Sequence, residues 1–134
     1  MLAGLVQRAF DAFNRGDLEG LLALLAEDVR VHSLMTEPER AEYAGHQGVR
    51  EWHAAVLEVF PDWSPQPRDI RELGDAAIVR FDVTATAATS GVRIEQTYWQ
   101  AVTVRDGPIT SFGFYRREED ALEALGLGSE GDPG

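Results

Sequence analysis

Cysteine is absent from the 134 residues, which excludes disulfides, thiolate nucleophiles and zinc–sulfur sites. Positive charge is scarce, with 12 Lys and Arg against 23 Asp and Glu, a net charge of −11. Such a chain repels phosphate backbones and anionic membranes, and no basic cluster offsets this, so neither nucleic acid nor membrane is expected as a partner. No apolar run approaches the roughly 20 residues of a membrane span. The N-terminal stretch is broken by Gln7, Arg8 and Asp11 and does not read as a signal peptide. With no staples and no leader, a cytoplasmic location is expected. Histidines at metal-binding spacing (H-x-x-x-H, H-x-H), a G-x-S-x-G elbow and a glycine-rich phosphate loop are all missing. The sequence therefore predicts no metal, no cofactor and no nucleophilic catalysis.

What is present is a globular composition, 44% hydrophobic and 26% charged, in a length that fits one domain. Leu2, Leu5, Val6, Ala9, Phe10 and Phe13 recur at helical spacing. Gly16 is placed to end that helix, and Asp17 to cap a second, short one carrying Leu18, Leu21, Leu22 and Leu25. "DVRVHSL" reads as a short strand and "MTEPERAEYAGHQG" as a polar loop. Val49, Trp52, Val56 and Phe60 mark a third helix, stopped by Pro61, and "PDWSPQP" reads as a connector. The period then changes from helical to alternating. Residues 68–73, 76–88, 92–105 and 109–115 predict four antiparallel strands, with Asp106-Gly107 the strongest hairpin signal. A short helix over 118–125 closes the domain, placed at 1–127, and 128–134 is expected to be a disordered tail. Helices segregated from an antiparallel meander predict an α+β fold in which helices cover a curved sheet and leave a cone-shaped cavity.

One stretch, "IVRFDVTAT" at 78–86, poses the functional question. Alternation puts Val79, Phe81, Val83 and Ala85 on one face and Arg80 and Asp82 on the other. In the simple arrangement the apolar face is core and the charged pair is solvated. If both faces are covered, Arg80 and Asp82 line a pocket instead. Elsewhere, Gln96, Tyr98 and Gln100 share a face of the next strand, and Phe112 and Phe114 share a face of the last, where they form a candidate pocket floor.

The stretches "AFNRGDLEGLLALLAEDVRVHS", "YAGHQGVREW", "VTVRDGPIT" and "YRREEDALEALGL", in this order, resemble the SnoaL-like branch of the nuclear transport factor 2-like superfamily. The resemblance covers nearly the whole chain and implies the family's cone, three N-terminal helices on a curved sheet. The branch includes ketosteroid isomerases, limonene epoxide hydrolases and polyketide cyclases, so the fold leaves function open. The isomerases' catalytic positions fall at Ala9, which cannot donate a hydrogen bond, Ser33, a poor base without a partner, and Gln100, which can still donate one. The epoxide hydrolases' Arg-x-Asp pair is matched by Arg80 and Asp82, but their partner acid falls at Phe114, and two further positions fall at Val31 and Ser33.

The resemblance also turns the Arg80 face toward the cavity and implies a homodimer through an outer sheet face carrying Val79, Phe81 and Trp99. The resulting expectation is a pocket for a small apolar or carbonyl-bearing molecule. Arg80, Asp82 and Gln100 are its candidate catalytic residues for cofactor-free proton-transfer chemistry, and Ser33, Tyr98, Phe112 and Phe114 its walls. The competing expectation is a non-catalytic dimeric binding or accessory module that kept the cone and lost the acids.

Overall fold

The computed structural model describes residues 2–34 and 40–127. The expected tail at 128–134 lies outside the described residues. The order of elements is α1 (Leu2–Asn14), α2 (Leu18–Leu22), β1 (Leu25–His32), β2 (Glu42–Ala44), α3 (Gly45–Val59), β3 (Ser64–Leu73), β4 (Ala76–Thr86), β5 (Arg93–Val104), β6 (Ile109–Tyr115) and α4 (Glu118–Ala124).

Local chemistry explains the N-terminal turn. Gly16 adopts φ +74°, which a side chain would resist. This left-handed residue lets Asp17 N–H donate to the Ala12 carbonyl at 2.9 Å and Gly16 N–H to that of Phe13 at 3.0 Å, closing α1. Asp17 then opens α2 by accepting from Gly20 N–H at 2.9 Å.

Six strands form one sheet in the order β2-β1-β6-β5-β4-β3. Neighbours pair antiparallel except β1 and β6, which run parallel. The four expected strands are present as the β3–β6 meander. Several boundaries differ from expectation. β3 begins at Ser64, inside the presumed connector, and carries Pro65 and Pro67. A strand tolerates proline at a sheet edge, where no ladder N–H is missed, and β3 is an edge. β1 starts at Leu25, its early course irregular between Leu25 and Arg30. The supposed polar loop contains β2, and α3 starts at Gly45 rather than at Val49.

The inner face of the sheet meets α1 and α3. Val79, Phe81, Val83 and Ala85 of β4 are buried there, with Val102 of β5 and Phe112 and Phe114 of β6. α4 lies against the opposite face, where Ala121 packs on Ile78 and Ala101, flanked by Trp99 and Tyr115.

Candidate functional site

Cross-strand pairing assigns every candidate residue to a face. On β4 and β5, Val79 stands opposite Gln100, Phe81 opposite Tyr98, Arg80 opposite Trp99 and Asp82 opposite Thr97. Residues directly opposite share a face. Gln100 therefore accompanies Val79, and its other neighbour is Phe114 of β6. Arg80 and Asp82 lie on the outer face with Trp99 and Thr97.

Two expectations are corrected by this register. Arg80 and Asp82 do not line the interior, and Val79 and Phe81, both fully buried, offer no surface to a second subunit. Trp99 does lie on the outer face, half-buried beside α4. The simple reading of alternation holds, because an apolar strand face excluded from water outweighs any benefit of turning a solvated ion pair inward.

On that outer face Asp82 accepts from Thr97 Oγ1 at 2.8 Å and from Arg68 Nε at 2.9 Å. A register shift between Pro67 and Asp69 leaves Arg68 outside the paired ladder, from where it reaches Asp82. The Thr97 hydroxyl first, then Arg68, hold the carboxylate below its usual range, and Arg80 contributes least. Asp17 and Asp62 are lowered too, chiefly by the backbone N–H groups of Gly20 and Thr86. Their folded pKa values lie below the unfolded ones, so the stability they contribute is present above about pH 4 and is lost as pH falls through the lowered values. A urea midpoint lower at pH 3 than at pH 6 is expected, with a smaller drop in Asp82→Asn. A midpoint that rises on acidification would contradict this.

Inside the cone is an aromatic slot. Trp52 of α3 stacks on Phe114, with ring centroids 5.7 Å apart and planes 9° from parallel, and meets Phe112 edge-on at 5.5 Å. Phe10 and Phe13 of α1 face them, and Trp63 and Pro65 complete the rim. The cavity between these rings measures about 50 Å³. Among the described residues lining it, Gln100 has the only side chain with an oxygen atom, and none is ionisable. Gln100 is 8% exposed and its Oε1 has no hydrogen-bond partner. An unpaired buried acceptor costs about 1–3 kcal/mol.

The remaining candidates fall into place around the slot. Phe112 and Phe114 line it. Ser33 does not; it is fully buried, and its Oγ accepts from Trp52 Nε1 at 3.1 Å, so it holds a wall residue. Tyr98 packs against Phe81 and Trp63 at 6.0 and 6.3 Å, but borders a separate depression with Gln96 and Arg116. Burial raises its pKa. Of the three residues proposed as catalytic, the fold keeps only Gln100 at the slot. Sequence reasoning placed Phe10, Phe13 and Trp52 only on the apolar faces of helices and Trp63 only in a connector. Their helical and loop spacing is the same whether the opposing surface touches them or stands off by a ring's thickness.

The histidines lie apart from the slot wall. His46 Nε2–H donates to the Leu25 carbonyl at 3.1 Å and ties α3 to β1. His32 pairs with Glu42 at 2.5 Å and stacks on Tyr115. His53 lies edge-on to Phe13, and burial lowers its pKa. Among the described residues, no three His, Asp or Glu side chains gather as a metal ion would require. No helix among them is long and apolar enough to cross a membrane.

A curved sheet wrapped by helices around an apolar slot, with Gln100 its one oxygen-bearing side chain among the described residues, defines a cone-shaped α+β domain. The chain belongs to the SnoaL-like domain family, whose model matches residues 6–112. A solved NTF2-like protein of unknown function from Burkholderia pseudomallei is similar over 95% of this chain and 96% of its own, at 22% identity and a TM-score of 0.79. IdmH from Streptomyces antibioticus, a putative polyketide cyclase, shares 26% identity over 93% of this chain and 98% of its own, with a TM-score of 0.72. TerC, co-crystallised with polyporic acid, shares 21% over 93% and 95%, with a TM-score of 0.77. No curated protein matches the sequence.

Proposed function

We propose that this domain binds a small, flat, uncharged organic molecule in the slot between Trp52, Phe114 and α1. The observation that carries the reading is an interior void walled by aromatic rings with, among the described residues, a single oxygen-bearing side chain and no charge. Apolar walls supply affinity and few polar groups supply orientation in small-molecule sites. A charged ligand would lose its hydration without gaining a counter-ion. The similarity to a putative polyketide cyclase, and to a protein crystallised with polyporic acid, fits an organic ligand of this kind.

Of the two roles left open by the sequence, binding is the better supported. Acid–base chemistry needs a titratable group within about 3 Å of the reacting atom, and among the described residues the lining offers none. Arg80 and Asp82 lie on the far side of the sheet.

The reading is tested by titrating neutral and carboxylated members of a matched aromatic series while following tryptophan fluorescence and the melting temperature. Neutral compounds at 100 times their Kd are expected to stabilise the fold by about 2.7 kcal/mol, a rise of several degrees. Trp52 and Trp63 should report it. Equal binding of the carboxylated compounds, or binding with no change at either indole, would refute the assignment.

A further inference from the structure

The depression beside Tyr98 is separate from the slot and has the opposite chemistry. It measures about 340 Å³ and is lined by Ile94, Gln96, Thr97, Tyr98 and Arg116. Register explains the grouping. Trp99 of β5 pairs with Tyr115 of β6, and one step further along the two antiparallel strands brings Arg116 beside Tyr98. The chain holds 23 Asp and Glu, yet among the described residues no carboxylate lines this depression.

What lines it are hydrogen-bond donors left over from the fold. Arg116 brings a guanidinium, Tyr98 a hydroxyl and Gln96 a carboxamide N–H group. Among the described residues, none of these three side chains makes a hydrogen bond or an ion pair. The Thr97 hydroxyl is already engaged, donating to Asp82. Arg117, next in the chain, pairs with Glu119 and Asp120. Arg116 borders a cleft with Asp120 and Glu123 on its other side, but pairs with neither. Burial raises the pKa of Tyr98 and the Arg116 charge only partly offsets this, so the phenol keeps its proton at neutral pH and remains a donor.

We propose that this depression binds the carboxylate of a small aliphatic acid, held by the Arg116 guanidinium and the Tyr98 hydroxyl. A guanidinium presents its N–H groups as a planar fork that matches the two oxygens of a carboxylate. Ile94 gives the alkyl chain an apolar wall. The site is independent of the slot, whose lining carries no charge among the described residues.

The experiment titrates butyrate, its neutral counterpart butyramide and inorganic phosphate into isotope-labelled protein at constant ionic strength and neutral pH. The Arg116 Nε–H and Tyr98 ring resonances are followed. Wild type is expected to bind butyrate at least about tenfold more tightly than butyramide or phosphate, the ratio for hydrogen bonds to a charged group. Arg116→Gln is expected to lose about tenfold in butyrate affinity and Tyr98→Phe about two- to tenfold. Arg105 is an exposed arginine at the hairpin end of the same two strands. Arg105→Gln removes the same charge there and should bind butyrate as wild type does.

Equal binding of butyrate and butyramide, equal losses in Arg116→Gln and Arg105→Gln, or binding that leaves the Arg116 and Tyr98 resonances unmoved would overturn the site. Phosphate bound as tightly as butyrate would overturn the carboxylate assignment, and full affinity in Tyr98→Phe the role of the hydroxyl. Butyrate has no ring, so failure of aromatic compounds to enter the slot leaves this result untouched, and failure here leaves the slot reading standing.

Discussion

Replacing Phe81 with alanine is expected to lower the stability of the fold by about 3–5 kcal/mol, the range for emptying a well-packed aromatic site. Phe81 is fully buried and its ring meets Phe10 at 5.6 Å, Phe114 at 5.7 Å and Tyr98 at 6.0 Å. These contacts bring together α1, β4, β5 and β6, so surrounding elements cannot collapse into the void without giving up contacts of their own. The next residue makes the control. Arg80 is exposed, and Arg80→Ala is expected to move stability by no more than about 0.5 kcal/mol. Urea denaturation at constant m-value separates the two. Ligand affinity should survive Arg80→Ala and Asp82→Ala unchanged. If Arg80→Ala proved as damaging as Phe81→Ala, or abolished ligand binding, the register of β4 described above would be wrong.

That register was partly legible in the sequence. Alternation marked residues 76–88 as a strand, two residues longer than β4, and separated Phe81 from Arg80 correctly. It did not by itself say which neighbours each face would meet. The missing constraint is the loop. Residues 87–92 separate the paired Thr86 and Arg93, and that interval has an even number of residues. Even-numbered positions of β4 must then oppose odd-numbered positions of β5, and Arg80 must share a face with Trp99 rather than with Gln100. Joining Arg80, Asp82 and Gln100 in one pocket was incompatible with this closure. Propensity signals also failed where tertiary context overrode them. Pro65 and Pro67 argue against a strand until β3 is known to be an edge, and β2 is three residues inside a polar stretch. The fold class and the meander were readable from periodicity and turn chemistry, alternation put Phe112 and Phe114 on one face, and Gln100 was singled out through the family resemblance. The slot itself was not. It arises from how far α1 and α3 stand from the sheet, and hydrophobic spacing is silent about distance.

Trp52 is where stability and binding meet, and its replacement by alanine is expected to cost about 3–5 kcal/mol. Two contributions are separable. The ring stacks on Phe114, meets Phe112 edge-on and lies 6.0 Å from Phe13. The indole N–H satisfies Ser33 Oγ, which is wholly buried. Trp52→Phe keeps an aromatic ring in place but removes the donor, and is expected to cost about 1–3 kcal/mol, chiefly the unmade hydrogen bond. Denaturation midpoints should therefore fall in the order wild type, Trp52→Phe, Trp52→Ala. Equal losses in the two variants would mean that the hydrogen bond to Ser33, rather than ring packing, dominates. The alanine variant also widens the slot on the side of Phe114. A neutral ring compound that fills the new space should restore part of the lost midpoint by mass action, with more gain in the variant than in wild type. Aromatic packing and ligand binding would then draw on the same surface, so the slot is narrow because the rings that form it also hold the cone together.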